Sequence, residues 1–182
     1  MSDPQPASVY DLAHAEEAES LATFAVLVDN EPGVLHRLVG LFAARGYNIE
    51  SLTVAETDRR AHTSRVTIVT RGAPHVLAQI EAQLEKMVAT RHVQDVTRDP
   101  NGLERELALV KVKGTGADRV EALRIGEIFR AKVLDTTIDS FIFEITGASS
   151  KIDSFVDLMR PLGLVELSRT GVLSITRGAD PM

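Results

Sequence analysis

Apolar positions along the chain switch repeatedly between two spacings. Phe24-Ala25-Val26-Leu27-Val28 is a short β-prone run that stops at Asp29-Asn30-Glu31-Pro32-Gly33, a turn. Val34, Leu35, Leu38, Val39, Leu41 and Phe42 then recur every three to four positions up to Arg45, which predicts a helix with Gly46 as its stop. Asn48–Glu56 and Arg65–Thr70 read as two more strands joined by the polar loop 57–62. Pro74 suits the first turn of a second helix, whose buried stripe would be Val76, Leu77, Ile80, Leu84, Met87 and Val88, and His92–Thr97 closes the set. The order is β-α-β-β-α-β.

Asp99-Pro100-Asn101-Gly102 breaks the pattern, and the same order then starts again. Glu106–Lys113 predicts a strand and Gly114-Thr115-Gly116 a turn. Val120, Leu123, Ile128 and Phe129 mark a helix face, and Lys132–Thr137 with Phe141–Thr146 a hairpin. Ile152, Phe155, Val156 and Met159 mark a last helix, opened by Ser149 and Ser150 as natural capping residues, before extended runs at Leu164–Leu167 and Val172–Thr176. The fold class is therefore α+β: two tandem ferredoxin-like βαββαβ modules with antiparallel sheets and helices on one face. The expected division is a disordered polar tail at 1–20, a first module at 21–98, a linker at 99–103, a second module at 104–178 and a short tail at 179–182. Each sheet's second face needs cover, which a two-fold partner would supply.

Composition narrows the options. The net charge is −6 and no basic run exceeds Arg59-Arg60, so the phosphate-tracking surface of a nucleic-acid binder is not expected. The chain has no Cys, which removes disulfides, thiolate metal sites and a Cys nucleophile, and suits a cytoplasmic setting. Its first twenty residues carry Glu16, Glu17 and Glu19 but no Lys or Arg, unlike a secretory or organelle leader. The five histidines have no metal-ligand spacing, and no nucleophile–base–acid set is recognisable, so neither a metal nor a catalytic residue is expected.

Candidate chemistry concentrates at Asn30-Glu31-Pro32-Gly33-Val34-Leu35. A glycine at the mouth of a helix lets a ligand approach the backbone, and the amides of Gly33, Val34 and Leu35 fall where a helix has no internal acceptors. A carboxylate is stabilised there by those amides and the helix dipole. Asn30 can either cap the helix or bind one end of a ligand, and on chemistry alone the commoner arrangement is a plain Asn-capped turn with Pro at the helix start. Asn48 and Ile49, at the start of an edge strand, would lie close to the Gly33 turn of a second copy.

The run from Asn30 to Phe42 resembles the ACT domain, a small amino-acid-binding regulatory module. Its continuation Ala43-Ala44-Arg45-Gly46-Tyr47-Asn48-Ile49-Glu50-Ser51-Leu52-Thr53-Val54 is similar to the small regulatory subunits of acetolactate synthase (acetohydroxyacid synthase). Arg105–Val112, Glu127-Ile128-Phe129-Arg130 and Ser168-Arg169-Thr170-Gly171-Val172 extend the likeness over residues 21–178. The resemblance implies a non-catalytic homodimer that partners a large catalytic chain. That chain would use thiamine diphosphate, Mg2+ and FAD to condense 2-keto acids toward branched-chain amino acids. It also implies feedback by an amino acid, usually valine, held by Asn30, Gly33, Val34 and Leu35 of one copy and Asn48 and Ile49 of the other. His36 departs from the small residue that relatives often carry. Two other readings are a sensor of the same type serving a different biosynthetic enzyme and a free-standing acyl-phosphate hydrolase. The hydrolase would need an Arg in the first strand-to-helix loop, and residues 29–33 contain none.

Overall fold

A computed structural model describes residues 18–179, so the expected N-terminal tail lies outside the described residues as far as residue 17, as do residues 180–182. The first unit runs β1 (Ser20–Asp29), α1 (Val34–Ala43), β2 (Ser51–Asp58), β3 (Thr63–Gly72), α2 (Pro74–Glu85) and β4 (Thr90–Asp95). Its four strands pair antiparallel in the order β2-β3-β1-β4, which leaves β2 and β4 as edges. The second unit repeats the plan with β5 (Gly102–Lys113), α3 (Gly116–Ile128), β6 (Lys132–Thr136), β7 (Ser140–Gly147), α4 (Ser149–Met159) and β8 (Leu164–Arg169), in the order β6-β7-β5-β8. An added strand, β9 (Leu173–Thr176), pairs with Gly102–Arg105 of β5. Strand β5 thus begins inside the stretch read as linker.

An apolar core lies between each sheet and its helix pair. Phe24, Val26, Ile68, Leu38, Phe42, Ile80 and Leu84 fill the first, and Val110, Phe143, Ile145, Ile152, Phe155 and Met159 the second. Each such side chain contributes roughly 1.5–3 kcal/mol by leaving water. Three expected core positions are instead on the surface. Val88 is 99% exposed because α2 ends at Glu85 and the chain turns away. Val120 and Ile128 are 66% and 67% exposed. Helix α3 buries Ala122, Ile125 and Gly126, and a Cβ at Gly126 would lie 2.8 Å from the Phe143 ring, so Val120 and Ile128 fall outside its inner face.

The far face of the first sheet, expected to need a two-fold partner, is covered in part from within the chain. Thr23, Ala25 and Thr67 on that face are buried, and the segment leading into β9 lies against it. Thr53 Oγ1 donates to the Thr170 carbonyl at 3.2 Å, the Val172 amide donates to Ser51 Oγ at 3.1 Å, and Thr176 Oγ1 donates to Gln94 Oε1 at 3.2 Å. Gly171 has φ of 81°, and a Cβ there would lie 2.5 Å from Ser51 Oγ, so the approach requires glycine.

An ion cluster anchors the same segment to the second unit. Arg169 donates from Nε to Glu106 Oε1 at 2.7 Å, from Nη2 to Glu106 Oε2 at 2.6 Å, and from Nη1 to Asp153 Oδ1 at 2.6 Å. Ser149 Oγ donates to Glu106 Oε2 at 3.0 Å, so this serine serves the cluster and does not cap α4, whose N-cap is Ala148 with no side-chain capping bond. Burial alone would raise the Glu106 carboxyl, but the bonds from Arg169 and Ser149 outweigh it and hold its pKa below the ordinary value. A depressed folded-state pKa gives stability that is present above the unfolded value near ~4.3 and lost as pH falls through the folded one. Glu106→Gln should cost about 2–3 kcal/mol at pH 7, below the full range for a broken buried pair because Arg169 is partly exposed and keeps Asp153. Urea unfolding at pH 7 and at pH 4 checks this: the variant should lose less stability than the parent between those pH values.

Candidate functional site

Strand β1 ends at Asp29, and the chain crosses to α1 through a turn held at three points. The Asn30 amide donates to the His62 carbonyl at 2.7 Å, Arg91 Nε donates to Asp29 Oδ1 at 2.6 Å, and Arg91 Nη2 donates to the Ala61 carbonyl at 3.3 Å. The β2–β3 hairpin tip is therefore fastened beside the turn. Within the tip, Asp58 accepts the amides of Ala61 and Arg60, which lower its pKa.

Gly33 is the N-cap of α1, in left-handed backbone with φ of 85°, and no side chain caps the helix. Pro32 precedes the cap rather than opening the helix, and Asn30 does not cap it: its Nδ2 donates to Glu56 Oε1 at 3.3 Å. The Val34 amide reaches the Glu31 carbonyl at 3.3 Å, and the Val34 side chain is buried in the core. The amides of Gly33, Leu35 and His36 have no acceptor among the described residues, and all three residues are exposed. Unspent amides at a helix start favour an anion.

Asn48 and Ile49 precede β2 instead of starting it, since pairing begins at Ser51. Their backbone is tied to β3, not to a neighbouring strand: the Asn48 carbonyl accepts Thr70 Oγ1 at 2.6 Å, and the Glu50 amide donates to the Val69 carbonyl at 2.8 Å. The Asn48 side chain is exposed, and Ile49 packs partly on the core. Strands β1 and β2 both run antiparallel to β3, hence parallel to each other. Asn30 sits at the Glu56 end of β2 and Asn48 at the opposite end, about 26 Å away for eight residues at 3.3 Å each. One chain brings Asn30, Gly33, Val34 and Leu35 together and holds Asn48 and Ile49 apart from them.

A cleft of about 570 Å³ opens between the two units, with Leu21, Val69 and Val172 among its apolar walls and Arg71, Glu106 and Arg169 among its charged ones. Arg169 and Glu106 are spent on each other, and Arg71 lies 3.6 Å from Glu50. Among the described residues no three His, Cys, Asp or Glu side chains gather as a metal site, and no helix is long and apolar enough to cross a membrane.

Residues 24–92 match the family model described as the AHAS small subunit-like ACT domain, and residues 105–178 the one described as the small subunit of acetolactate synthase. A probable acetolactate synthase small subunit of Archaeoglobus fulgidus is 47% identical over 86% of this chain and 96% of its own. The chain belongs to the acetolactate synthase small-subunit family. The isozyme 3 small subunit of Escherichia coli is 44% identical over 85% of this chain and 94% of its own. The crystal structure of the acetolactate synthase small subunit from Thermotoga maritima superposes with a TM-score of 0.78 at 37% identity, covering 88% of this chain and 99% of that one. Membership agrees with the doubled fold and with an ACT-type turn at Asn30–Leu35. Sequence reading did not single out Glu56, His62 and Arg91, which frame this turn. Each lies at least 26 residues from its partner there, so no local pattern announces it.

An added Cβ at Gly33 meets nothing within 4 Å, so substitution there is opposed by backbone conformation alone. Gly33→Ala should lower stability by about 1 kcal/mol without disturbing the fold, read as a shift in urea midpoint at constant m-value.

Proposed function

We propose that this chain is the regulatory subunit of an acetolactate synthase, raising the activity of a separate catalytic chain and making it responsive to valine. The observation that carries the reading is the pairing of unspent amides at the Gly33 turn with an edge strand whose two ends hold the two halves of the site. If two copies associate along β2 about a two-fold axis, the strands run antiparallel, and the Asn48 end of one lies against the Asn30 end of the other. The exposed Leu35, Val39 and Val54 beside that edge support such an association. Valine then sits in the seam, its carboxylate on the amides of Gly33 and Leu35, with Asn30 on one side and Asn48 and Ile49 of the partner subunit on the other.

In this reading the partner catalytic chain carries thiamine diphosphate, Mg2+ and FAD and condenses 2-keto acids, while this chain supplies no reacting group and works in the cytoplasm. Valine biases activity only through its different affinity for two arrangements of the dimer, typically ~1–3 kcal/mol of coupling. A single apolar pocket separates valine, leucine and isoleucine by only ~1–3 kcal/mol, so all three belong in the titration.

Gly33→Asp should abolish feedback, because its carboxylate would occupy the place of the ligand's own. Inhibition of the reconstituted synthase by valine is the measurement, and normal sensitivity in that variant would refute the site. Asn48→Ala should weaken valine binding about tenfold by calorimetry while leaving the chain folded and dimeric. An unchanged affinity would remove Asn48 from the site.

A further inference from the structure

We propose that Glu56 binds the ammonium group of the effector and so makes the seam selective for amino acids over the 2-oxo acids of the same carbon skeleton. The inference rests on the effector site proposed above and adds a residue to it. In register, Glu56 pairs with Ser64, and Ser64 with the core residue Val28, so Glu56 projects on the helix-bearing face of the sheet, at the Gly33 end of edge strand β2.

The other carboxylates around the turn have cations or amides to themselves. Asp29 is bonded by Arg91 at 2.6 Å, Asp58 accepts the amides of Arg60 and Ala61, and Glu31 lies 3.7 Å from Arg37. Among the described residues Glu56 accepts only the 3.3 Å bond from Asn30 Nδ2, and its Oε2 lies 3.6 Å from Arg59, whose side chain is 92% exposed. A carboxylate offers about four lone-pair positions, so most of its acceptor capacity is unused. With its amino group donated to Glu56, Asn30 keeps Oδ1 as a second acceptor, and both residues are exposed. In the proposed seam, donors at the helix start and acceptors at Glu56 and Asn30 together match the polarity of a zwitterion.

The arrangement also rejects. A 2-oxo acid brings the carboxylate without the ammonium, leaving Glu56 unpaired beside a second negative charge. A regulator of a synthase that consumes 2-oxo acids needs this discrimination.

The test is calorimetric titration of the full-length dimer with L-valine and with 3-methyl-2-oxobutanoate, in the parent, in Glu56→Gln and in Glu127→Gln, an exposed acid on α3 of the second unit. Glu56→Gln keeps an oxygen for Asn30 but removes the charge, and should lower the preference for valine over the oxo acid at least tenfold. Glu127→Gln should leave that preference unchanged. An unaltered preference in Glu56→Gln, an equal loss for both ligands, or the same shift in Glu127→Gln would overturn the assignment. A parent protein that binds no branched-chain amino acid would instead bring down the effector reading itself, and this inference with it.

Discussion

Strand β2 is constrained on every side but one, and the rest of the molecule is arranged around that fact. The split β-α-β order places it at the edge of the first sheet, with β3 as its single hydrogen-bonded neighbour among the described residues. Leu52 and Val54 face the helices, while Ser51 and Thr53 on the opposite face bind the segment from Thr170 to Val172. What remains is a row of unpaired backbone groups along one edge, flanked by the exposed Leu35, Val39 and Val54. An uncovered edge of this kind needs management in any sheet protein, and association with an identical edge is a low-cost answer.

The candidate site of the first module rests first on backbone groups. Gly33 starts α1 with no side-chain cap, so the amides of Leu35 and His36 have no acceptor among the described residues, and the helix start favours an anion. The turn is nonetheless stiff, because the Asp29–Arg91 pair and the Asn30–His62 bond fasten it to the hairpin tip. A stiff turn with unspent donors binds an anion with little ordering cost.

The second module reaches the first through the stretch from Arg169 to Val172, and again where Thr176 bonds Gln94. Arg169 is locked to Glu106 and Asp153, Thr170 bonds Leu107 through both its amide and its hydroxyl, and Gly171 lies flat on Ser51 and Thr53. Polar side chains of β2 and a charged cluster of the second unit therefore grip adjacent residues. Packed contacts of this type tend to have discrete arrangements rather than a continuum, which is the physical requirement for passing a shift of β2 to the other sheet.

Residues acting on near neighbours made much of this legible before any coordinates. The period of the apolar positions determined the doubled βαββαβ order, and Pro32-Gly33 ahead of an apolar helix determined where amides are left without acceptors among the described residues. These signals are carried by residues a few positions apart, where backbone geometry leaves few choices. Tertiary structure alone decided the remainder. Val88, Val120 and Ile128 follow the helical period yet lie exposed, because the inner face of a helix depends on what packs against it, here the Phe143 ring on Gly126. Asn48 lies a strand's length from Asn30, Glu106 meets Arg169 across 63 positions, and Glu56 meets Asn30 across 26. Such meetings depend on sheet register and on which edge stays open, and those are settled only when the whole chain has packed.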